Sequence, residues 1–519
     1  MRMTSVFLGL VLLIGFSGSG YADPPSDSEK SQLEITIKLK IKIGTKGKGN
    51  AKDKAAIKQA KPKTRLYAER LRPQFHFTAR QWTISKLNPA IKGENTHGGE
   101  EGWLNDPNGL VYYKGEWHLF ANGAGSYWVH AVSKDLVHWE ELPPKLHRDD
   151  KLGNTASGSA AVDWNNTSGF GTDKEHALLA FFTGWKNKVQ CMAYSIDRGR
   201  TWTKYANNPI VAHPNRDPKV FWYEPESKWI MIIYGPPKRS YVFFGSKDLR
   251  KWEKLSTFPD MFECPDMFQL PLDGDNKQTK WVLSDGNGSY VIGQFDGTRF
   301  HTEQEKEALD YGFNFYATQT WSDVPKEDGR CIQMAWMRGG KFPDMPFNQQ
   351  LTFPCVLSLR TVRDQMRLCR YPVREIAQLY AKEHTWENVT ASSGNDLLRD
   401  IKGDLFDIEI EFDPAQSDAL GFKIHGHDVQ YTTKAEHVVS RRTHQMKVKR
   451  KNGLIQMRLL VDRTSIEVFV NHGEISGANC ILPKENGPPP RLYVNGGDAI
   501  IKSLKVRELK SIWPQAGRK

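Results

Sequence analysis

The sequence predicts an all-β protein in which a five-bladed β-propeller is followed by a C-terminal β-sandwich. Two observations lead to this fold class. A short motif that begins Ser-x-Asp and ends in Trp returns at intervals of roughly fifty residues, which is the size of a four-stranded propeller blade. After the fifth unit the motif stops, but runs of alternating apolar and polar residues continue, as in the strands of a sandwich.

The repeated motif sets the limits of the blades. Its copies run from Ser133 to Trp139, from Ser195 to Trp202 and from Ser246 to Trp252, with a looser copy from Phe295 to Phe300. Each copy follows two or three strand-like runs and therefore closes one unit. The five units span residues 105–140, 157–204, 215–254, 263–303 and 314–360, within a predicted propeller domain of residues 67–362.

The chain beyond the propeller is predicted to form a connector and a second domain. The connector comprises residues 363–399 and has some helical content from Glu375 to Lys382. From residue 400 the alternation of apolar and polar residues resumes, which predicts a β-sandwich over residues 400–512. Its predicted strands are Leu405 to Phe412, Leu420 to Ile424, Met446 to Val448, Ile455 to Val461, Ser465 to Val470 and Ile500 to Val506.

The first 66 residues differ in composition from the rest. Residues 1–22 combine an early Arg2, an apolar run from Val6 to Phe16 and small residues before Ala22, a pattern typical of a cleaved signal peptide. We therefore expect a secreted or periplasmic protein. Residues 23–66 are rich in Lys and predict a disordered linker.

The net charge of +12 belongs mostly to this linker. Residues 31–63 contain ten lysines, with only Glu34 and Asp53 as acidic residues. The rest of the chain is nearly balanced, which argues against nucleic-acid binding by the folded body. Anionic cell-surface material is one candidate contact of the basic tail, and a solvated tail without a partner is the alternative.

Three acidic residues stand at equivalent positions of the repeat. Asp106, Asp217 and Glu263 open the first, third and fourth units. Each therefore lies at the start of the strand nearest the propeller axis, where the first strands of all blades converge. The sequence thus predicts that three carboxyl groups meet at one end of the central channel and form a small acidic pocket.

The segments that carry these residues resemble a known enzyme family. The resemblance rests on three ordered motifs, which are Trp103-Leu104-Asn105-Asp106-Pro107-Asn108-Gly109, Arg216-Asp217-Pro218 and Glu263-Cys264. They are similar to motifs of the β-fructosidases of glycoside hydrolase family 32, a family that includes invertases, levanases, inulinases and fructanases. The similarity extends over both predicted domains, from about Arg72 to about Leu509.

The chemistry of these carboxyl groups agrees with the roles that the resemblance implies. Retaining glycoside hydrolysis needs one ionised carboxylate to attack the sugar and one protonated carboxyl group to protonate the leaving oxygen. Asp106 suits the nucleophile, because Asn105 and the turn offer donors that favour its ionised form. Glu263 suits the acid and then the base, because apolar surroundings and neighbouring charges keep a carboxyl group protonated. Asp217, with Arg216 beside it, suits the binding of sugar hydroxyl groups.

Further residues are candidates for substrate binding. The segment Ser157-Gly158-Ser159-Ala160 resembles one in which the family's serine holds the terminal fructose, so Ser157 is expected to bind substrate. Trp103 and Trp128 are candidates for apolar walls of the pocket. The other candidates are the polar residues Asn105, Asn122 and Arg216.

The sequence also departs from the family pattern around the pocket. Ala156 replaces the family's aromatic residue before Ser-Gly, Asn122 replaces a sugar-contacting glutamine, and Asn314 replaces an aspartate before Phe-Tyr-Ala. A long segment from Ala79 to Gly102 is inserted before the first motif. The three carboxylates are intact, so these changes predict an altered pocket wall rather than a lost reaction.

Three functions remain open at this point. The first is an exported retaining β-fructosidase that acts on levan, inulin or sucrose-type ends. The second is a related five-bladed hydrolase of arabinose- or xylose-containing polymers, and the third is a fructan-binding protein without activity. No cofactor and no metal are expected, because spacings such as H-E-x-x-H are absent, and the six dispersed cysteines define no disulfide framework. Linkage preference, endo or exo action, transfer to another sugar and oligomeric state are left open.

Overall fold

A computed structural model describes residues 66–80, 82, 102–123, 126–237, 239–440, 445–484 and 487–513. The predicted signal peptide, residues 23–65 and most of the segment from Ala79 to Gly102 lie outside the described residues. The described chain is built of strands, with two short 3₁₀ helices at Glu224–Glu226 and Arg374–Leu379. Within the described part, no helix is long and apolar enough to cross a membrane.

Five antiparallel strand groups follow each other along the chain and correspond to the five predicted blades. Blade one contains β1 (Leu104–Pro107), β2 (Val111–Tyr113), β3 (Glu116–Gly123), β4 (Tyr127–Ser133) and β5 (Glu140–Leu142). Blade two contains β6 (Thr155–Asp163), β7 (Ala177–Gly184), β8 (Val189–Ser195) and β9 (Thr203–Lys204). Blade three contains β10 (Arg216–Tyr223), β11 (Lys228–Gly235), β12 (Ser240–Ser246) and β13 (Glu253–Pro259). Blade four contains β14 (Asp266–Leu272), β15 (Asp275–Ser284), β16 (Ser289–Phe295), β17 (Phe300–Thr302) and β18 (Glu307–Ala308). Blade five contains β19 (Tyr316–Thr320), β20 (Cys331–Trp336), β21 (Cys355–Val362) and β22 (Gln365–Pro372).

The repeated Ser-x-Asp motif forms the turn between the third and fourth long strands of a blade. In blade three, Ser246 Oγ donates to Asp248 Oδ1, which also accepts the backbone N–H groups of Arg250 and Lys251 at 2.9 and 2.8 Å. Asp135 and Asp197 accept backbone N–H groups in the same way in blades one and two. The motif recurs because a short polar side chain satisfies the backbone of a tight turn.

Four buried side chains, here named the interblade collar, join the first strands of different blades: Ser159, Lys219, Asp266 and Gln319. Ser159 Oγ donates to the carbonyl oxygen of Pro218 at 2.8 Å, and Lys219 Nζ lies 2.8 Å from Asp266 Oδ1. Asp266 also accepts the N–H of Thr320 at 2.6 Å.

Gln319 closes the collar between blades one, two and five. It donates to the carbonyl oxygen of Gly158 at 2.7 Å and accepts the N–H of Leu110 at 3.0 Å. The collar therefore fixes the first strands relative to one another immediately beyond the residues that open them.

Two sheets form the C-terminal domain. Its strands are β23 (Tyr380–Ala391), β24 (Phe406–Asp413), β25 (Ala419–Ile424), β26 (His427–Thr432), β27 (His437–Ser440), β28 (Gln445–Lys447), β29 (Ile455–Asp462), β30 (Ser465–Val470), β31 (Ile475–Cys480), β32 (Arg491–Asn495) and β33 (Ala499–Leu509). One sheet has the order β23-β33-β24-β29-β30-β31 and the other β28-β27-β26-β25-β32. Ile408 and Leu459 of the first sheet pack with Phe422 and Tyr431 of the second in one buried core. Five blades followed by this sandwich confirm the predicted fold class.

The predicted connector contains two strands, which belong to the sheets on either side of it. Residues 363–399 contain β22, which pairs along its whole length with β21, and β23, which pairs with β33 of the sandwich. The helical content is only the 3₁₀ helix Arg374–Leu379, and Lys382 lies in a strand. Most residues of β23 are exposed or half-buried, so the segment lacks the apolar alternation that identifies a strand in sequence.

Candidate active site

The first strands of the blades are irregular where they begin. The pairing of β1 shifts between Leu104 and Pro107, and that of β10 shifts between Arg216 and Lys219. Such bulges bend a strand and redirect its side chains. Asp106 and Asp217 lie inside these two irregularities, which explains why side chains of the innermost strands turn towards one end of the propeller.

The loop that enters blade four is also unusual in its backbone. Glu263 and Cys264 have φ angles of 51° and 40°, and Asp217 has a φ of 64°. Positive φ is unfavourable for residues with a side chain and is often found at functional sites. Glu263 lies just before β14 rather than in it, so the repeat position predicted from the sequence is correct to within three residues.

Asp106 is held by a chain of polar side chains. Its Oδ2 accepts a hydrogen bond from Ser157 Oγ at 2.6 Å, and Ser157 in turn accepts one from Asn122 Nδ2 at 2.6 Å. Asn108 donates to the oxygen of Asn122 at 3.2 Å. Asn105 also donates to Asp106, and its own oxygen accepts a bond from Trp103 Nε1 at 3.2 Å.

Gly158 is needed for this arrangement. A Cβ atom added there would lie 1.8 Å from the carbonyl oxygen of Phe181, so only glycine lets β6 approach β7 at this point. Ser157 is thereby held next to Asp106.

Asp217 is the most buried of the three carboxylates, with 6% of its surface exposed. It accepts the backbone N–H of Cys264 at 3.1 Å, and Arg216 Nε lies 3.6 Å from the same oxygen. The thiol of Cys264 is 3.8 Å from Asp217 Oδ2 and 3.9 Å from Asp106 Oδ2. One cysteine thus bridges the first two carboxylates.

Glu263 is bound by a cation and a phenol. Its two carboxylate oxygens accept short hydrogen bonds from the Arg216 guanidinium and from the Tyr316 hydroxyl group. Arg216 also stacks on the ring of Tyr234, at 5.0 Å from the centroid, and Arg338 lies 4.6 Å from the centroid of Tyr316. Arg216 therefore connects Glu263 to Asp217, and the three carboxyl groups lie together in one cluster, here called the acidic pocket.

Burial dominates the electrostatics of the pocket. Burial raises the pKa of Asp106, while the hydrogen bonds from Ser157 and Asn105 oppose the shift. Burial and the charges of Asp106 and Glu263 raise the pKa of Asp217 to about 7, although Arg216 lowers it.

The thiol between the carboxylates is neutral. Burial raises the pKa of Cys264 well above its usual range, and the charges of Asp217 and Asp106 add to this shift. A neutral S–H group is a weak hydrogen-bond donor. Cys264 can therefore lie between two carboxylates without adding a third negative charge.

The structure brings most of the predicted site residues together, with one exception. Asn105, Asn122, Ser157 and Arg216 all touch a carboxylate or a residue that holds one, and Trp103 is half-buried beside Asn105. Trp128 was expected to form a pocket wall, but only 1% of its surface is exposed. Its ring belongs to the core between blades one and two, and its Nε1 donates to the carbonyl oxygen of Ala156 at 3.0 Å.

Two contacts within the site are not predicted from the sequence. Tyr316 reaches Glu263 from blade five, and Cys264 lies between Asp106 and Asp217. Tyr316 belongs to the segment Asn314-Phe315-Tyr316-Ala317, whose likeness to the family was the available signal.

Asn314, which replaces the aspartate of the family pattern, makes two hydrogen bonds to backbone groups. Its Nδ2 donates to the carbonyl oxygen of Arg338 at 2.6 Å, and its Oδ1 accepts the N–H of Cys480 in the sandwich at 2.8 Å. An amide can satisfy both backbone groups, whereas a carboxylate has no donor for the carbonyl oxygen. Asn314 thus links blade five to the sandwich beside the pocket.

The described residues contain no group of three or more His, Cys, Asp or Glu placed to hold a metal ion. Four of the six cysteines are buried, namely Cys191, Cys355, Cys369 and Cys480. The side chains that meet at the site carry carboxyl, guanidinium, hydroxyl and thiol groups.

Comparisons with known proteins agree with this site and fold. Residues 98–372 match the model of the N-terminal domain of glycosyl hydrolases family 32, and residues 375–508 match the C-terminal domain model of the same family. A levanase of Bacillus subtilis is 36% identical over 510 residues, which cover 86% of this chain and 72% of that protein.

Two further relatives cover most of the chain. An extracellular exo-inulinase of Aspergillus ficuum is 28% identical over 516 residues, covering 81% of this chain and 95% of that protein. The structure of a fructofuranosidase from Schwanniomyces occidentalis complexed with fructose has a TM-score of 0.72 at 25% identity, and covers 85% of this chain and 98% of that one. The chain belongs to glycosyl hydrolase family 32 and is a glycoside hydrolase that acts on O-glycosyl bonds.

Proposed function

We propose that the protein hydrolyses β-fructosidic bonds in fructans or sucrose and retains the configuration of the sugar. The observation that carries the proposal is the joining of Asp106, Asp217 and Glu263 through Cys264 and Arg216 into one acidic pocket. Retaining hydrolysis requires such a pair of nearby carboxyl groups. The levanase, the exo-inulinase and the fructofuranosidase among the relatives support fructose as the sugar.

In the first step, Asp106 attacks the anomeric carbon of the terminal fructose unit. The bond from this carbon to the glycosidic oxygen breaks as Glu263 transfers a proton to that oxygen, and a covalent ester with Asp106 forms. Ser157 and Asn105 donate to Asp106, which favours the ionised form that attack requires.

In the second step, water attacks the anomeric carbon of the ester while Glu263 takes up a proton from the water. The ester bond breaks, fructose leaves, and Asp106 is again a carboxylate. Tyr316 and Arg216 hold the two oxygens of Glu263, and so orient the group that gives and regains the proton. Asp217 is linked to Asp106 through Cys264 and to Glu263 through Arg216, and it can accept hydrogen bonds from sugar hydroxyl groups.

Asn122 acts through Ser157. Only 6% of the surface of Asn122 is exposed, and its amide nitrogen donates to Ser157 Oγ. The amide therefore positions the serine and does not itself face the substrate. Together with Ala156, this shorter residue leaves more space at the wall of the pocket than a glutamine and an aromatic residue would.

The alternative substrates, arabinose- or xylose-containing polymers, are not favoured by the relatives. A fructan-binding protein without activity is opposed by the presence of all three carboxylates.

We propose export of the protein by the signal sequence in residues 1–22, in keeping with the extracellular exo-inulinase among the relatives. The Lys-rich residues 23–66 are then a basic tail whose candidate contact is anionic cell-surface material. Sequencing the N-terminus of the exported protein tests the cleavage after Ala22. Retention of residues 1–22 in the exported form would contradict it.

Sugar release from levan, inulin, sucrose and arabinan tests the proposed reaction. We expect free fructose from the wild type, a loss on the order of 10³-fold or more in Asp106→Asn, and a loss of about 10²- to 10⁴-fold in Glu263→Gln. Asp296→Asn is the matched control, because Asp296 serves a surface turn between β16 and β17. Wild-type binding to fructan without any release would establish a binding protein, and release from arabinan alone would establish a different sugar.

A further inference from the structure

Trp185 lies at the end of blade two where the acidic pocket is. The first residue of β6, Thr155, pairs with Gly184 at the end of β7, and Trp185 follows directly. At the other end of the same two strands, Asp163 pairs with Ala177, and Trp164 follows Asp163. The blade therefore carries one tryptophan at each of its two ends.

The turn that carries Trp185 is fixed on both sides. The N–H of Trp185 donates to the carbonyl oxygen of Asn154 at 3.0 Å, and the N–H of Asn215 donates to the carbonyl oxygen of Lys188 at 2.9 Å. Asn154 lies three residues before Ser157, and Asn215 immediately precedes Arg216. The turn of residues 185–188 thus spans the gap between the two segments that deliver Ser157 and Arg216 to the pocket.

The side chain of Trp185 remains 43% exposed on this fixed turn. The ammonium group of Lys188 lies 5.3 Å from the centroid of its ring, which supports the ring in place. A single exposed apolar side chain is ordinary on a protein surface. A large flat one, held by backbone hydrogen bonds at the edge of a sugar-cleaving pocket, is a surface on which a sugar ring can stack.

We propose that Trp185 binds the sugar units that lie outside the acidic pocket when a long fructan chain is bound. This inference rests on the proposed function, since it needs a terminal fructose unit in the pocket. The rest of the chain then extends over this end of the propeller, where the turn of residues 185–188 lies beside the segments that carry Ser157 and Arg216. Sucrose is too short to reach beyond the first units, so Trp185 distinguishes long substrates from short ones. Binding energy gained so far from the reacting bond raises kcat/KM for the long substrate alone.

The test compares kcat/KM for sucrose and for long inulin and levan in wild type, Trp185→Ala and Trp164→Ala. We expect Trp185→Ala to lower kcat/KM about 2- to 10-fold for the long chains, chiefly through KM, with sucrose changed less than about 2-fold. Trp164→Ala, with 48% of its indole exposed at the other end of the blade, is the matched control and should change neither. Trp185→Phe should recover part of the lost affinity, because a flat apolar ring is retained.

A second measurement does not depend on turnover. In the Asp106→Asn background, titration with an inulin oligosaccharide should quench tryptophan fluorescence, and adding Trp185→Ala should weaken both the quenching and the affinity. Fructose release by the wild type with an unchanged ratio of inulin to sucrose activity in Trp185→Ala overturns this inference alone. Absence of fructose release from every substrate overturns the proposed function and this inference together.

Discussion

Asp217 is a residue of the active site that lowers the stability of the folded protein at neutral pH. Its carboxyl group is buried, lies near two other carboxylates and has Arg216 as its nearest cation. Burial raises its pKa from 3.8 to about 7, with a contribution from the two carboxylates and against the effect of Arg216. A folded protein with such a group keeps a proton that the unfolded chain gives up, so stability present below pH 3.8 is lost as the pH rises towards 7.

Asp217→Asn should therefore stabilise the protein while reducing its activity. We expect the free energy of unfolding at pH 7.5 to increase by roughly 1–3 kcal/mol, because the amide has no charge to bury. Near pH 3.5 the variant and the wild type should differ little in stability, since the wild-type carboxyl group is then mostly protonated in both states. Fructose release should fall by about 10²-fold or more. Guanidinium denaturation at the two pH values and sugar release measure these effects.

Asp163→Asn is the matched control for this prediction. Asp163 is also buried in the propeller, but it accepts bonds from the N–H groups of Thr167 and Ser168, at 2.9 and 2.8 Å. Replacing one acceptor oxygen by a donor should lower the stability at pH 7.5. Equal destabilisation by Asp217→Asn and Asp163→Asn would show that the charge of Asp217 does not lower the free energy of unfolding.

The limits of the sequence are clear for individual residues. Asp106 and Asp217 could be placed in the pocket, because turn residues and the phase of the repeat fix the start of each blade. The contact between Tyr316 and Glu263 depends on the register of a distant strand, which no local pattern encodes. Trp128 is predicted to line the pocket wall, because the sequence does not distinguish a tryptophan that packs into the core from one that faces the substrate.

At the scale of elements, the first strands are held by the interblade collar rather than by sheet pairing alone. Lys219 and Asp266 are almost fully buried, with 3% and 0% of their side chains exposed, and they join β10 to β14. Thr320 of β19 binds the same carboxylate through its N–H and its hydroxyl group. The pair thus ties three blades together two residues beyond Asp217 and three beyond Glu263.

Lys219→Met should be strongly destabilising. Removal of the ammonium group leaves Asp266 as an uncompensated buried charge, at a cost of about 3–5 kcal/mol. The double variant Lys219→Met with Asp266→Asn should recover part of this loss, because no charge remains buried. Denaturant unfolding of the two variants measures the coupling. A single variant as stable as the wild type, or a double variant less stable than the single, would contradict this view of the collar.

The sequence also predicts elements unevenly. Blades one to three were placed well because each has a Ser-x-Asp turn that satisfies its own backbone, and in blade four Asp296 accepts the N–H groups of Thr298 and Arg299 in a similar turn. β22 and β23 were missed, because β22 follows a tight turn without that motif and β23 is largely polar and exposed. Their strand conformation is determined by pairing with β21 and β33, which are contacts that only the folded chain provides.

At the scale of the whole molecule, a buried charge network joins the N-terminal segment, the propeller and the sandwich. His76 lies 2.9 Å from Asp462 and 2.9 Å from Glu467 of the sandwich. Glu467 also lies 2.7 Å from Arg370 of blade five and accepts the N–H of Phe353 at 2.7 Å. Asp462 further accepts the backbone N–H groups of residues 74–76.

The pKa values of His76 and Glu467 are shifted in opposite directions. Burial disfavours the charge of His76, but its hydrogen bonds to Asp462 and Glu467 raise its pKa from 6.5 to about 9. The stability that it contributes is complete below pH 6.5 and is lost as the pH rises through 9. Burial likewise disfavours the charge of Glu467, yet Arg370 and His76 lower its pKa from 4.5 to about 2, so its contribution is lost as the pH falls from 4.5 towards 2.

His76→Gln should separate this network from all other titrating groups. At pH 6 we expect the variant to be less stable than the wild type by about 3–5 kcal/mol, since two buried carboxylates lose a shared cation. Between pH 6.5 and 9 the wild type should lose stability that the variant no longer has, and the two unfolding curves should converge. Because the described side-chain hydrogen bonds of His76 go to Asp462, Glu467 and Ser465 of the sandwich and not to the acidic pocket, activity at a temperature where both proteins are folded should differ little. Unfolding curves that stay parallel from pH 6 to pH 9 would show that His76 is neutral in the folded protein, and that the propeller and sandwich are joined by hydrogen bonds without a buried cation at this position.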